Sequence, residues 1–123
     1  KSNHMTTVEL QNADGNFVAA TEQSVKAAAA GADWSKSFYQ ILTNQPGKES
    51  WPITSGTFVL VHRVADKSEQ TQEVLKFFDF GFSTGDQMAE QLQYVPMPVS
   101  VKEQIRKEWL TIEAPGGQAL WKK

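Results

Sequence analysis

The most strand-like stretch of the sequence is Thr57-Phe58-Val59-Leu60-Val61-His62. Apolar side chains occupy both alternating faces of this run, which predicts a β-strand buried between helices on both sides. Ile53-Thr54-Ser55-Gly56 leads into the run and follows Trp51-Pro52, where the proline favours an extended conformation at Trp51. Because a single strand cannot form a sheet, we expect its neighbouring strands to lie elsewhere in a longer protein.

The residues before this strand predict a hairpin-like start followed by a helix. A weak strand over 6–10 precedes the turn signal Asn12-Ala13-Asp14-Gly15-Asn16, and an apolar run follows over 17–20. Thr21 is the predicted N-cap of a helix that contains the alanine run and stops at Gly31.

A further helical turn is predicted from Asp33 onwards, and a loop over 43–50. The helical turn would carry Phe38, Ile41 and Leu42. Asn44, Pro46 and Gly47 favour the loop.

Three helices are predicted after the central strand. The first runs from Ser68 to about Phe82 and buries Val74, Phe77, Phe78 and Phe82, with a capping-box spacing at Asp66 and Glu69. The second is short, is capped by Asp86 or Thr84, and carries Met88 and Leu92. The third begins with a capping box at Ser100 and Glu103. One of its faces carries Val101, Ile105, Trp109 and Ile112. An apolar anchor at Leu120-Trp121 follows it.

Composition excludes several classes of protein. The 123 residues are 40% hydrophobic and 21% charged, which indicates a folded chain, and the formal net charge of -2 disfavours nucleic-acid binding through a broad basic surface. The absence of cysteine excludes a disulfide scaffold, a thiolate metal site and a cysteine nucleophile. Apolar runs are shorter than the roughly 20 residues of a membrane span.

Few residues are candidates for chemistry. His4 and His62 are the two histidines and do not form a pair, while Asp79 and Glu90 are predicted to lie on solvated helix faces. The sequence therefore predicts no catalytic residues, no metal ligands and no cofactor, and we do not expect an enzyme.

Two other features have a functional and a structural interpretation. Ser55-Gly56-Thr57 could offer donors to an anion, but a strand is predicted to follow where a helix N-terminus would be needed, so a strand-entry bend is favoured. Among the clustered phenylalanines, only Phe80 is left free to be exposed, so core packing is favoured over a sugar or base platform.

Several separated runs resemble the C-terminal part of bacterial periplasmic phosphate-binding proteins. They are Asn12-Ala13-Asp14-Gly15, Gly31-Ala32-Asp33-Trp34-Ser35-Lys36, Leu42-Thr43-Asn44-Gln45, Trp51-Pro52-Ile53-Thr54-Ser55 and Val74-Leu75-Lys76-Phe77-Phe78-Asp79. The resemblance extends from Lys1 to Trp109. It favours reading Lys1–Met5 as family sequence rather than as a cloning scar.

The resemblance implies an α/β fold, namely part of a type II periplasmic-binding-protein-like fold with two lobes and a cleft. Residues 1–55 would be a C-terminal piece of the middle lobe, and residues 56–123 would return to the first lobe. Thr54, Ser55 and Gly56 would then be hinge candidates at the crossing.

The resemblance also implies a function: periplasmic binding of inorganic phosphate and its delivery to the permease subunits of an ABC importer. The phosphate ligands of that family lie upstream, and no ligand residue is matched in this chain. Two alternatives remain, a binding protein of the same fold for another oxyanion and a self-associating fragment with no ligand of its own. An N-terminal fragment or a swapped copy is a further possible partner that would complete the fold.

Overall fold

The computed structural model describes residues 6–122, which form two strands and four helices in the order β1, β2, α1, α2, α3 and α4. This mixture of helix and strand agrees with the predicted α/β class. The chain divides into two compact units, Lys1–Thr57 and Phe58–Lys123. The predicted family-like stretch Lys1–Met5, which includes His4, lies outside the described residues.

The first unit begins with a β-hairpin. Strand β1 (Glu9–Gln11) pairs antiparallel with β2 (Phe17–Ala19), so that Leu10 lies opposite Val18. Gly15 adopts a φ of 80° in the connecting turn, a conformation that glycine reaches without steric cost. The predicted turn is confirmed, and the first strand is shorter and later than the predicted 6–10.

Helix α1 (Glu22–Gly31) has the predicted N-cap and the predicted end. The Thr21 side chain accepts a hydrogen bond from the Ser24 backbone N–H, and Ser24 Oγ accepts one from the Thr21 N–H in return. This reciprocal capping box satisfies two donors that the helix itself cannot pair. Ala28 and Ala29 are buried on the inner face.

The helical turn predicted from Asp33 is wrong, because bends and turns replace it. Asp33 Oδ1 accepts the Ser35 backbone N–H at 3.2 Å, a local side-chain bond that competes with helix formation. Trp34 is buried, and its Nε1–H donates to the Ala29 carbonyl at 2.7 Å. The indole therefore holds this segment against the end of α1, while Ile41 stays exposed.

In the second unit, helix α2 (Ser68–Thr84) exists as predicted but buries a different face. Leu75 is fully buried, and Phe78 and Phe82 pack against the core, whereas Phe77 is 68% exposed. The prediction that Phe77 is a core residue is therefore wrong. Val74 is also exposed. The core of this unit selects one of two adjacent apolar stripes on α2, a choice that helical spacing alone leaves open.

Two predicted capping boxes do not form. Lys67, rather than Asp66, precedes α2, and no side chain caps that helix. Helix α4 (Val99–Trp109) begins before Ser100, because the Pro98 carbonyl already accepts the N–H of Val101 at 3.0 Å. Helix α4 therefore starts two residues too early for Ser100 to act as its cap, because the N-cap position is taken by Pro98.

Helix α3 (Asp86–Gln91) is short and follows α2 through Gly85, which caps both helices in place of the predicted Asp86 or Thr84 side chain. Met88 and Leu92 are exposed. The predicted inner face of α4 is confirmed, since Val101, Trp109 and Ile112 are buried and Ile105 packs against the core.

The core of the second unit is completed by the chain after α4. Glu113 forms a parallel bridge with Val64 and an antiparallel bridge with Ala119. Leu120 is buried, and the Trp121 ring meets the Trp109 ring edge-on at 5.2 Å, which confirms the predicted apolar anchor. Among the described residues, no helix is both long and apolar enough to cross a membrane.

The predicted buried strand Thr57–His62 is wrong for this chain. The run carries no strand assignment, and Leu60 is 97% exposed. Bridge pairing begins only beyond its end, at Val64 with Glu113. A strand is stable only when neighbouring backbones satisfy its N–H and C=O groups, and local apolar alternation does not supply that neighbour.

Candidate functional site

The segment Trp51–Gly56, which contains the predicted hinge residues, lies at the end of the first unit. The Trp51 N–H donates to the Ser24 carbonyl at 3.0 Å, and the Pro52 carbonyl accepts the Asn44 N–H at 2.9 Å. These two bonds fix the start of the segment to α1 and to the preceding loop.

The three hinge candidates differ in their surroundings. Thr54 is 5% exposed, and its Oγ1 donates to the Trp51 carbonyl at 3.1 Å. Ser55 is exposed and Gly56 is half-buried. Thr54 is thus the last tightly held residue of the segment, and a change of backbone angles would meet least packing resistance from Ser55 onwards. The hinge role of these residues stays a prediction.

A buried asparagine anchors the loop that leads into this segment. Asn12 Nδ2 lies 3.0 Å from the Gly47 carbonyl, 2.9 Å from the Lys48 carbonyl and 3.3 Å from the Ser50 carbonyl. Its Oδ1 accepts the backbone N–H groups of Asp14 at 3.1 Å and Asn16 at 3.0 Å. One side chain therefore joins the hairpin turn to the loop before Trp51.

The same loop is tightened by Ser50. Its side chain is buried, its Oγ donates to the Pro46 carbonyl at 2.8 Å, and its N–H donates to the Gly47 carbonyl at 3.0 Å. Gly47 has a φ of 123°, and a Cβ there would lie 2.7 Å from Ser50 Oγ. The loop is therefore closely packed, and glycine is required at its apex.

Sequence reasoning did not single out Asn12 as a site residue. An asparagine directly after a strand and before Asp-Gly signals a side chain that bonds its own turn. Its contacts with residues 47–50 span 35 to 38 positions of the chain. A pairing across that distance has no local signature in the sequence.

The possible anion site at Ser55-Gly56-Thr57 lacks the helix that such a site needs. The next helix is α2, which begins at Ser68. Free N–H groups and a helix dipole therefore do not converge on these residues. We assign no anion site to them. The run that follows them is Thr57–His62, which forms neither a strand nor a helix.

Charged residues of the second unit pair with one another between its helices. Lys102 is buried, and its Nζ donates to the Phe82 carbonyl at 3.0 Å and to the Asp86 carboxylate. Arg106 Nε donates to Asp79 Oδ1 at 2.6 Å. Asp79 is therefore partly buried and ion-paired, and its prediction as a solvated residue is wrong. Glu90 is exposed, as predicted.

His62, the last candidate from the sequence, is exposed. A shallow depression at the start of α2 is lined by residues 66–70, which carry two carboxylates, Asp66 and Glu69, and one ammonium group, Lys67. Within residues 6–122, no three histidine, aspartate or glutamate side chains come together as a metal site.

Comparison with known proteins identifies relatives of the chain. It is 40% identical over 124 aligned residues to a phosphate-binding protein PstS of Pasteurella multocida, a match that covers 98% of the chain and 36% of the relative. It is 42% identical over 113 residues to a phosphate-binding protein PstS of Haemophilus influenzae, which covers 90% of the chain and 34% of the relative. A phosphate-binding protein PstS of Xylella fastidiosa is 38% identical over 109 residues, or 87% of the chain and 30% of the relative.

The chain thus spans about a third of the length of the curated relatives that it matches. No family model matches it. The resemblance to part of a phosphate-binding protein, expected from the quoted runs, is confirmed. The names of these relatives describe binding proteins rather than enzymes.

Proposed function

We propose that this chain is the C-terminal scaffold part of a periplasmic protein that binds inorganic phosphate and delivers it to an ABC importer. The observation that carries the proposal is the 38–42% identity to three phosphate-binding proteins across 87–98% of the chain. The similarity covers both compact units, so both contribute to the proposed architecture.

In this proposal the whole protein has two α/β lobes of the type II periplasmic-binding-protein kind, with phosphate between them. Residues 1–55 form a piece of the middle lobe, and residues 56–123 return to the first lobe. The division of the chain between Thr57 and Phe58 is compatible with a crossing close to the hinge candidates.

The proposed role of this chain is structural and mechanical, and the phosphate ligands come from the part of the protein upstream of it. Its buried polar groups support that role, because Asn12, Ser50, Thr54 and Lys102 all hydrogen-bond to backbone carbonyls within their own unit. Such groups are already satisfied and are poorly suited to take up an anion. The exposed run from Phe58 to Val61 supports a sheet completed by further chain.

Phosphate binding in the proposed protein depends on replacing the hydration of the anion with a complete set of hydrogen bonds. A carboxylate upstream of this chain would accept a bond from protonated phosphate and reject a fully ionised oxyanion such as sulfate. Leaving such a buried polar contact unpaired costs about 1–3 kcal/mol. Closure of the two lobes would then create the shape that the permease subunits recognise.

Calorimetry of the whole natural polypeptide with phosphate, sulfate and molybdate tests the proposal. We expect saturable binding of phosphate at micromolar concentration or below, and no saturable heat with sulfate. Tighter binding of sulfate or molybdate than of phosphate would mean that the ligand of the protein is another oxyanion. Absence of binding to all three anions would contradict the proposed function.

The 123 residues by themselves should bind phosphate no more tightly than millimolar, because the ligands lie outside them. Micromolar binding by this chain alone would contradict its assignment as a scaffold part. Light scattering of the same sample tests self-association, which the 97% exposure of Leu60 favours as the second candidate.

A further inference from the structure

We infer that Asn12 is a positioning residue that fixes the entry to the hinge segment Trp51–Gly56. The inference rests on the proposed function for its link to phosphate, but its structural part concerns contacts inside the first unit alone. Asn12 touches neither the hinge candidates nor any proposed ligand residue. It acts through the loop 46–50, which ends where the segment begins.

Asn12 contacts both sides of the junction between the hairpin turn and the loop 46–50. Through Nδ2 it contacts three carbonyls of the loop at 2.9 to 3.3 Å, and through Oδ1 it accepts two N–H groups of the hairpin turn. An asparagine amide offers two donors and one acceptor oxygen with two lone pairs. The capacity of this side chain is therefore fully used, and Asn12 is 6% exposed.

The junction requires an amide rather than a carboxylate at position 12. Aspartate has the same shape and keeps the acceptor for Asp14 and Asn16, but it would point a carboxylate oxygen at the carbonyls of Gly47 and Lys48. The lone pairs of the carboxylate oxygen would then face those of the two carbonyl oxygens in a buried environment, with no hydrogen between them. The substitution Asn12→Asp therefore breaks the link to the loop and preserves the turn, which separates the two roles of one side chain.

The loop 46–50 runs directly into the hinge segment. Ser50 is held by the Asn12 amide through its carbonyl, and the next residue, Trp51, donates its N–H to the Ser24 carbonyl. Loss of the Asn12 bond removes one of the anchors immediately before Trp51. The start of the segment then samples more conformations, and the fraction of molecules competent to close around ligand decreases.

The test compares Asn12→Asp with Asn16→Ala in the whole natural polypeptide. Asn16 lies in the same turn, and its amide reaches only the Asp14 carbonyl at 3.3 Å, so it is a matched control. Hydrogen exchange should become at least about tenfold faster for peptides covering 46–52 in Asn12→Asp, and stay unchanged in Asn16→Ala. Phosphate should bind about three- to tenfold more weakly to Asn12→Asp alone.

Each result decides a different part of the inference. Unchanged exchange over 46–52 in Asn12→Asp would overturn the anchoring role. Faster exchange with unchanged phosphate affinity would show a merely structural residue and overturn the positioning role. If the unsubstituted protein binds no phosphate, the proposed function fails, and the exchange measurement still decides whether Asn12 anchors the segment.

A second variant guards against failure of Asn12→Asp to fold. Gly47→Ala disturbs the same junction from the loop side, because its Cβ would lie 2.7 Å from Ser50 Oγ. It should reproduce the faster exchange over 46–52 and the weaker phosphate binding. Wild-type behaviour of Gly47→Ala in both measurements would overturn the inference.

Discussion

Phe82 of α2 and Trp109 of α4 stack with their ring centroids 5.7 Å apart and their planes inclined by 6°. Lys102 Nζ lies 5.9 Å and the Arg106 guanidinium 5.8 Å from the centroid of the same Phe82 ring. Phe82 therefore joins α2 to α4 through both an apolar and a cationic contact.

Replacing Phe82 with alanine should lower the free energy of unfolding by about 3 kcal/mol, because it removes the stacked ring and leaves a cavity beside Trp109. Urea unfolding followed by tryptophan fluorescence measures this change. Phe80→Ala is the matched control on the same helix, and its exposed ring should contribute within about 0.5 kcal/mol. Equal losses in the two variants would contradict the assigned core.

Replacing Thr21 with alanine should cost about 1 kcal/mol, because the first turn of α1 loses its capping side chain. Ser100→Ala should be close to neutral, because α4 already begins at Val99 and Ser100 forms no cap. Thermal unfolding of the two variants checks both values. A loss for Ser100→Ala as large as that for Thr21→Ala would mean that α4 begins at the capping box after all.

Replacing Leu60 with lysine should leave the stability of the 123-residue chain nearly unchanged and should destabilise the whole natural polypeptide. In the 123-residue chain, Leu60 is almost fully exposed, so the unfolding free energy should change by less than about 0.5 kcal/mol. In the whole natural polypeptide, the proposed sheet buries this position, and the charge should cost about 2 kcal/mol or more.

Comparison of thermal unfolding in the two settings tests the proposed completion of the sheet. Gln91→Lys provides a control at an exposed position outside the run, in the last turn of α3, where a cation suits the helix dipole, and it should change little in either setting. A Leu60→Lys protein as stable as the parent in the whole polypeptide would argue against burial of the run.

The Asp33 carboxyl should titrate at a pKa below its ordinary value of 3.8, chiefly because it accepts the Ser35 side-chain hydrogen bond, with further help from Lys36 and the Ser35 backbone. A lowered pKa favours the folded state at pH values above the unfolded pKa. That contribution disappears as the pH falls through the folded value. Carboxyl-carbon NMR titration measures the pKa, and Ser35→Ala should move it upwards. An unchanged pKa in Ser35→Ala would contradict the assigned cause.

Several features carried by short sequence signals agree with the structure, although the helical turn from Asp33 and the capping boxes at Asp66 and Ser100 do not form. The Asp-Gly turn, the Thr21 cap, the end of α1 at Gly31 and the inner face of α4 all depend on residues within one or two turns of each other. The physical causes are local, since a cap needs a side chain three residues away and a tight turn needs a positive φ. The quoted runs were also sufficient to indicate the relatives that the comparisons found.

Features that depend on distant neighbours were predicted wrongly or missed. Phe77 and Phe78 are equally apolar neighbours on α2, and only the position of the core buries one and exposes the other. Asp79 pairs with Arg106 across 27 positions of the chain, which no local pattern indicates.

Residue type and close spacing were enough to predict the hairpin turn, the presence of helices α1 to α4 and the proteins that this chain resembles. The contacts of the folded chain determine that Asn12 binds the loop before Trp51 and that Thr57–His62 is an exposed run. Both depend on which backbone groups come within hydrogen-bond distance of one another, and that proximity is set by the folded chain as a whole.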